Sequence, residues 1–131
     1  MNYLVDSTVF IVWMRSGQNP VRRLGPWLRA GALVGCGIIR AEVLRGMIAE
    51  SARNEMALLF EHMPDIALSA EAWGETAELA WRLDRAGHVL PFPDLAIAVC
   101  ALRAKATLVT RDRHFRDVPG LVSRDDLPDR I

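Results

Sequence analysis

Lysine is nearly missing from this chain. Of its 16 basic residues, only Lys105 is not arginine. A GC-rich coding sequence produces such a bias by itself. Arg also suits bidentate phosphate contacts better than Lys, so the two readings coexist. Net charge is missing too, since 16 acidic residues balance the 16 basic ones. That argues against a strong non-specific field for nucleic acid. Cysteine is scarce. Cys36 and Cys100 do not form a C-x-x-C pair and both sit in apolar contexts, as reduced core thiols do. No apolar run reaches membrane length, the longest being the eight residues from Leu95 to Leu102. The opening residues Met1 to Asp6 carry no basic region and meet an acid at once, unlike a signal peptide. A cytoplasmic location, away from membranes, is the expectation.

What the chain does have is apolar content, 51% over 131 residues. That is enough for one domain, 1–131, with a core that needs no disulfide or metal staple. No repeat or low-complexity tract interrupts it. Asn2 to Val5, Ala32 to Cys36, Asp65 to Leu68 and Thr107 to Val109 read as short buried strands, with Leu121 to Ser123 as a last edge strand. Between them, patterns and breakers predict helices from Ser7, as N-cap, to Met14, from Pro20 to Arg29, from Ile38 to Glu50 and from Ala52 to His62. Ser69 caps another helix to Ala86, and Asp94 to Ala104 is the most apolar. Apolar strands without polar alternation, separated by helices, indicate an α/β fold whose parallel sheet is covered on both faces. Ligands of such sheets bind beyond the carboxyl ends of the strands.

Acids occupy those ends. Asp6 follows Leu4-Val5, Asp112 closely follows Leu108-Val109, Asp94 opens the apolar helix, and Glu42 lies just after Ile38-Ile39. Singly, Asp6 and Asp94 can be helix caps and Asp112 a turn former. Glu42 has a weaker structural alternative, an exposed solvated glutamate. Its neighbours one helical turn away are Ile38, Ile39, Arg45 and Gly46, so it borders a buried stripe. Carboxylates collected in one crevice repel one another, and sharing a divalent cation relieves this.

The runs around these acids resemble those of PIN-domain ribonucleases. They are Leu4-Val5-Asp6-Ser7-Thr8, Glu42-Val43-Leu44-Arg45-Gly46, Pro93-Asp94-Leu95-Ala96-Ile97-Ala98 and Leu108 to Phe115. The blocks keep the family's order and spacing across the chain. Size and C-terminal extension are similar to VapC toxins of bacterial toxin–antitoxin pairs. The resemblance implies a PIN-like three-layer α/β/α sandwich with a central, mostly parallel sheet of four to five short strands. It implies that Asp6, Glu42, Asp94 and Asp112 bind metal and carry catalysis, supported by the hydroxyls of Thr8 and Thr110. Asp117 falls near an optional further acid. The family often has a hydroxyl residue three positions before the Glu, where this chain has Ile39. A small VapB-like antitoxin, a homodimer and an assembly with the antitoxin are the implied partners.

The chemistry follows from the donors. Four carboxylates with no ligand-spaced His or Cys cluster suit Mg²⁺ or Mn²⁺, and not Zn²⁺. Such an ion lowers the pKa of bound water and stabilises charge developing on the leaving oxygen of a phosphodiester. By resemblance, RNA is the substrate and the products carry 5′-phosphate and 3′-hydroxyl ends. Asp6, Asp94 and Asp112 are expected to bind directly, and Glu42 to bind a second ion or orient water. Arg40, Arg45, Arg111, Arg113 and Arg116 flank the acids and are candidates for RNA phosphates or structural ion pairs. His114 is either a proton donor or a surface turn residue, and His62 and His88 read as surface residues. Trp73 and Trp81 share a helix face, as core or interface. Trp13, Met14 and Trp27 are candidates for an antitoxin groove. Competing readings fit less well. A dehalogenase-like phosphatase needs a second Asp where Thr8 stands, and a receiver domain needs an acidic pair beside Asp6. A catalytically inactive PIN-like module that binds RNA or a partner should lack one of the four acids.

Overall fold

Tyr3, Leu4 and Val5 are each no more than 5% exposed. Successive strand residues point to opposite faces, so the strand they form is covered on both. The computed structural model describes residues 1–131. In it β1 (Tyr3–Val5) lies inside a four-stranded sheet with β2 (Leu33–Val34), β3 (Thr107–Val109) and β4 (Ser123–Arg124). The strand order is β2-β1-β3-β4, and every neighbouring pair is parallel. Six helices surround it: α1 (Ser7–Arg15), α2 (Pro20–Arg29), α3 (Gly37–Gly46), α4 (Glu50–Glu61), α5 (Ala70–Arg85) and α6 (Phe92–Ala104). This is the α/β architecture with a parallel sheet that the strand composition indicates.

The chain leaves β1 to build β2 on one side and returns to build β3 on the other. The switch in direction opens a crevice beyond the carboxyl ends of β1 and β3, where parallel sheets bind ligands. α6 spans the middle of the core, and every residue from Leu95 to Ala101 is buried. Cys36 and Cys100 lie there too, free and fully buried.

Several boundaries differ from the sequence reading. The expected strand at Asp65–Leu68 is a single bridge, Gly35 to Asp65. Pro64 has no N–H to lengthen a ladder, and Asp65 and Ala67 face solvent. The edge strand sits at Ser123–Arg124, two residues later than Leu121–Ser123. Leu121 is used in a turn, its N–H reaching the Val118 carbonyl at 3.3 Å. α3 stops at Gly46, and Met47 is extended. α6 begins at Phe92, because Pro93 is tolerated in a first turn where its missing N–H would be unpaired anyway. The N-cap of α1 is Asp6, so Ser7 is already helical. Ser69 does cap α5, accepting from Ala72 N–H at 3.2 Å.

Trp13 and Trp27 are core residues, 1% and 4% exposed. The Trp13 indole donates to Asp126 Oδ1 at 3.1 Å, and Trp27 packs edge-on against Tyr3. Neither is free to line an antitoxin groove, because helical periodicity marks a face without saying what covers it. Trp73 and Trp81 are exposed instead. Replacing Ile97, which is fully buried, by Ala should cost about 2–5 kcal/mol in urea unfolding, whereas Trp81→Ala on the exposed face should cost less than about 1 kcal/mol.

Candidate metal centre

β1 and β3 end side by side, in register at Val5 and Val109. The next residues, Asp6 and Thr110, therefore emerge together into the crevice. Asp6 is only 3% exposed, and no lysine or arginine pairs with it. Two hydroxyls hold it instead. Thr8 Oγ1 and Thr110 Oγ1 each donate to Asp6 Oδ2 at 2.8 Å. The same two oxygens accept backbone N–H groups, Thr8 from Arg111 and Thr110 from Asp112, both at 3.1 Å. This network uses Oδ2 fully and leaves Oδ1 without a hydrogen-bond donor. Asp6 holds the N-cap position of α1, yet its side chain accepts no helix N–H, so capping does not account for its carboxylate.

The other acids arrive from three elements. Glu42 comes from the middle of α3, and Ser7 Oγ donates to its Oε1 at 3.4 Å. Asp94 stands in the first turn of α6 and makes no cap hydrogen bond. Asp112 follows β3 and does form the expected turn, since its Oδ1 accepts from His114 N–H at 2.9 Å. His114 Nδ1 lies 3.1 Å from the same oxygen. One ligand atom each from Asp94, Asp112 and His114 lie within 4.8 Å of one another.

Their electrostatics show strain. Burial pushes the Asp94 carboxyl up to about 6, with further contributions from Asp112, Asp6 and Glu42, partly opposed by His114. The Glu42 carboxyl is also raised, first by burial and then by Asp6, against the Ser7 hydrogen bond. Each lifted carboxyl reflects the cost of adding one more negative charge to the crevice. The chain pairs Arg23, Arg40, Arg82 and Arg103 with carboxylates elsewhere. It supplies no such cation to these four acids, although Arg111 and Arg113 flank Asp112. Oxygen donors with one imidazole nearby and no cysteine fit a hard divalent cation.

Not every candidate joins the cluster. Asp117 pairs with His88 at 3.3 Å and lines a separate groove beside α5. Arg40 pairs with Glu61 at 3.7 Å, and Arg45 is exposed on α3. Arg111, Arg113 and Arg116 line a cleft adjoining Asp112. His114 belongs beside the acids as well as at the surface. Its place two residues after Asp112, in the turn that Asp112 itself forms, is the signal that could have found it. Ser7, the donor to Glu42, was read only as a cap.

A raised carboxyl favours the protonated form, so a metal ion must displace the Asp94 proton below about pH 6. Calorimetric Mn²⁺ titration from about pH 8 down to about pH 5 should show affinity falling roughly tenfold per unit once Asp94 is protonated, and Asp94→Asn should abolish that dependence. The folded metal-free protein holds this proton where the unfolded chain, with the ordinary aspartate value of 3.8, has lost it. The Asp94 contribution to stability is therefore complete below about pH 4 and declines as pH rises through about 6. Urea unfolding in chelator reads that slope, and Asp94→Asn should flatten it.

Among solved structures, the chain is similar to VapBC2 from Rickettsia felis, determined bound to a DNA fragment from their promoter. The identity is 22%, over 95% of this chain and 98% of that one, with a TM-score of 0.75. It is also similar to VapBC-1 from nontypeable Haemophilus influenzae, at 23% identity over 95% and 98%, TM-score 0.73. A toxin–antitoxin complex from Klebsiella pneumoniae matches at 23% identity over 92% and 96%, TM-score 0.63. At these identities the likeness concerns the fold. No curated protein matches the chain. The PIN domain matches residues 3–121, nearly the full length and all four acids, and the chain belongs to the PIN domain family.

Proposed function

We propose that the chain is a Mg²⁺- or Mn²⁺-dependent endoribonuclease, the toxin of a type II toxin–antitoxin pair. The observation that carries this reading is the group of Asp94, Asp112 and His114, whose ligand atoms lie within 4.8 Å of one another, with Asp6 and Glu42 near enough to raise the Asp94 carboxyl and no lysine or arginine paired with any of the four acids. Among the structures that share its fold, the one from Klebsiella pneumoniae is a toxin–antitoxin complex by name, and those from Rickettsia felis and Haemophilus influenzae are named VapBC2 and VapBC-1, which supports a VapB-like partner.

Asp6, Asp94 and Asp112 would hold the ion. Thr8 and Thr110 orient Asp6, so that its free Oδ1 faces the crevice side not used by hydroxyls. When bound, the ion supplies Lewis acidity, making water a better nucleophile and offsetting charge on the leaving oxygen. Glu42 orients the attacking water, and its raised carboxyl makes it a better proton acceptor than an ordinary surface glutamate. Attack at phosphorus expels the 3′ oxygen, leaving 3′-hydroxyl and 5′-phosphate ends. Arg111, Arg113 and Arg116 are placed to hold backbone phosphates beside the acids.

The antitoxin contact is best sought where apolar side chains remain uncovered. Met14, Val21 and Met47 line a groove of about 300 Å³ between the first two helices and α4. Val21, Leu28 and Leu58 continue it along α2 and α4, and Leu58 is 57% exposed. These residues replace Trp13 and Trp27 as candidates. Homodimerisation and a cytoplasmic location go with the same reading. No helix is long and apolar enough to cross a membrane.

The direct test is cleavage of RNA by the purified chain with Mn²⁺, with 5′ ends sequenced. Outer partners of metal ligands are worth about 10–100-fold, so Asp94→Asn should lower the rate at least about 100-fold and Thr110→Val about 10–100-fold, both keeping a folded circular dichroism spectrum. Metal-independent cleavage, or full activity in Asp94→Asn, would sink the mechanism. Leu58→Glu should release a co-expressed antitoxin on affinity purification while leaving cleavage intact.

A further inference from the structure

A cleft of about 430 Å³ opens between the turn after β3 and the edge strand β4, and Asp112 forms part of its wall. No apolar side chain lines it. Four arginines do: Arg111, Arg113 and Arg116 from the turn, and Arg124 from β4. None of these guanidinium groups has a carboxylate partner or a side-chain hydrogen bond, whereas four arginines elsewhere are paired with acids. Unpaired guanidinium groups gathered around a polar cleft are poised for an anion from outside the chain.

Arg124 is the most informative of the four, because it lies outside every run that marks the acids. It is fixed on the sheet and not on a loop. Val109 is its register partner, and its carbonyl accepts Thr110 N–H at 2.8 Å. The residue that holds Asp6 therefore also fixes the backbone of Arg124. The backbone that carries Arg124 is thus held at a set place relative to the acids.

We infer that this cleft binds the phosphodiester backbone of the substrate on one side of the scissile bond, with Arg124 as its anchor. The inference rests on the ribonuclease reading and narrows the substrate class. Phosphates beyond the scissile one are needed, so the substrate is an oligonucleotide and a dinucleotide is a poor one. The cleft offers no aromatic surface for base stacking and reads backbone, not sequence. Arg124 is a binding residue that touches a phosphate remote from the reacting atoms.

The experiment compares the wild-type chain with Arg124→Ala and Arg124→Lys, using Mn²⁺ and synthetic RNAs of about 12 nucleotides in two unrelated sequences, each cut by the wild type, plus a dinucleotide. Arg124→Ala should raise KM about tenfold for both sequences with kcat within about twofold, and reduce the salt slope of log(kcat/KM) by about 0.7–1. Arg124→Lys should recover part of the loss, and the dinucleotide should be cut equally by all three. An unchanged KM and salt slope in Arg124→Ala, with cleavage intact, would overturn the cleft assignment and leave the nuclease standing. Loss of antitoxin binding by Arg124→Ala with unchanged RNA affinity would do the same, assigning the arginines to an acidic protein segment. Absence of any wild-type cleavage would remove the nuclease reading itself. Anisotropy of a labelled oligonucleotide in chelator would then still report whether Arg124 binds a polyanion.

Discussion

A carboxylate as buried as Asp6 would be intolerable without compensation, and two threonine hydroxyls provide it. They neutralise nothing. They solvate one oxygen of a full negative charge and leave the other to the crevice. Because Thr8 and Thr110 also accept the N–H groups of Arg111 and Asp112, this one contact sets the turn that carries Asp112 and His114. It also joins the start of α1 to the end of β3, at the point where the sheet changes direction. Glu42 and Asp94 are then brought against an anion whose position is already settled.

The rest of the crevice shows how opposite charges can be near without cancelling. Acids gather at the strand ends, and arginines gather in the adjoining cleft, whose wall Asp112 shares. Direct pairing would have satisfied both groups. Without it, burial first and then the neighbouring acids raise the carboxyls of Asp94 and Glu42. Energetically frustrated clusters of this kind are common where a site is matched to a ligand instead of to itself.

Much of this was legible in the residues. Strands of consecutive apolar residues required a parallel sheet with covered faces, and β3 fell on Thr107–Val109 as read. Pro20, Arg29 and the Ser69 cap marked helix limits through local chemistry. The four acids stood out because each borders a buried element. What was not legible depended on neighbours far along the chain. Ile66 and Leu68 have strand composition, yet Pro64 and the solvent beside them permit only a bridge. Trp13 and Trp27 carry a helical pattern that cannot say which surface covers them. Arg40 and Arg124 are alike as letters, and only the fold pairs one with Glu61 and leaves the other free. His114 joined the acids through the turn that Asp112 forms, two residues before it.

The clamp on Asp6 also has a temporal meaning. Its members come from residues 6, 8 and 110, and Asp112 lies just beyond. A chain emerging from the ribosome exposes the first two long before the others exist. β1 must wait for β3 on one flank, and the acid crevice has no wall on that side until then. Local helices can form meanwhile, since they need only nearby residues. The site is therefore absent from the growing polypeptide and appears late and all at once, when the sheet closes around its first strand.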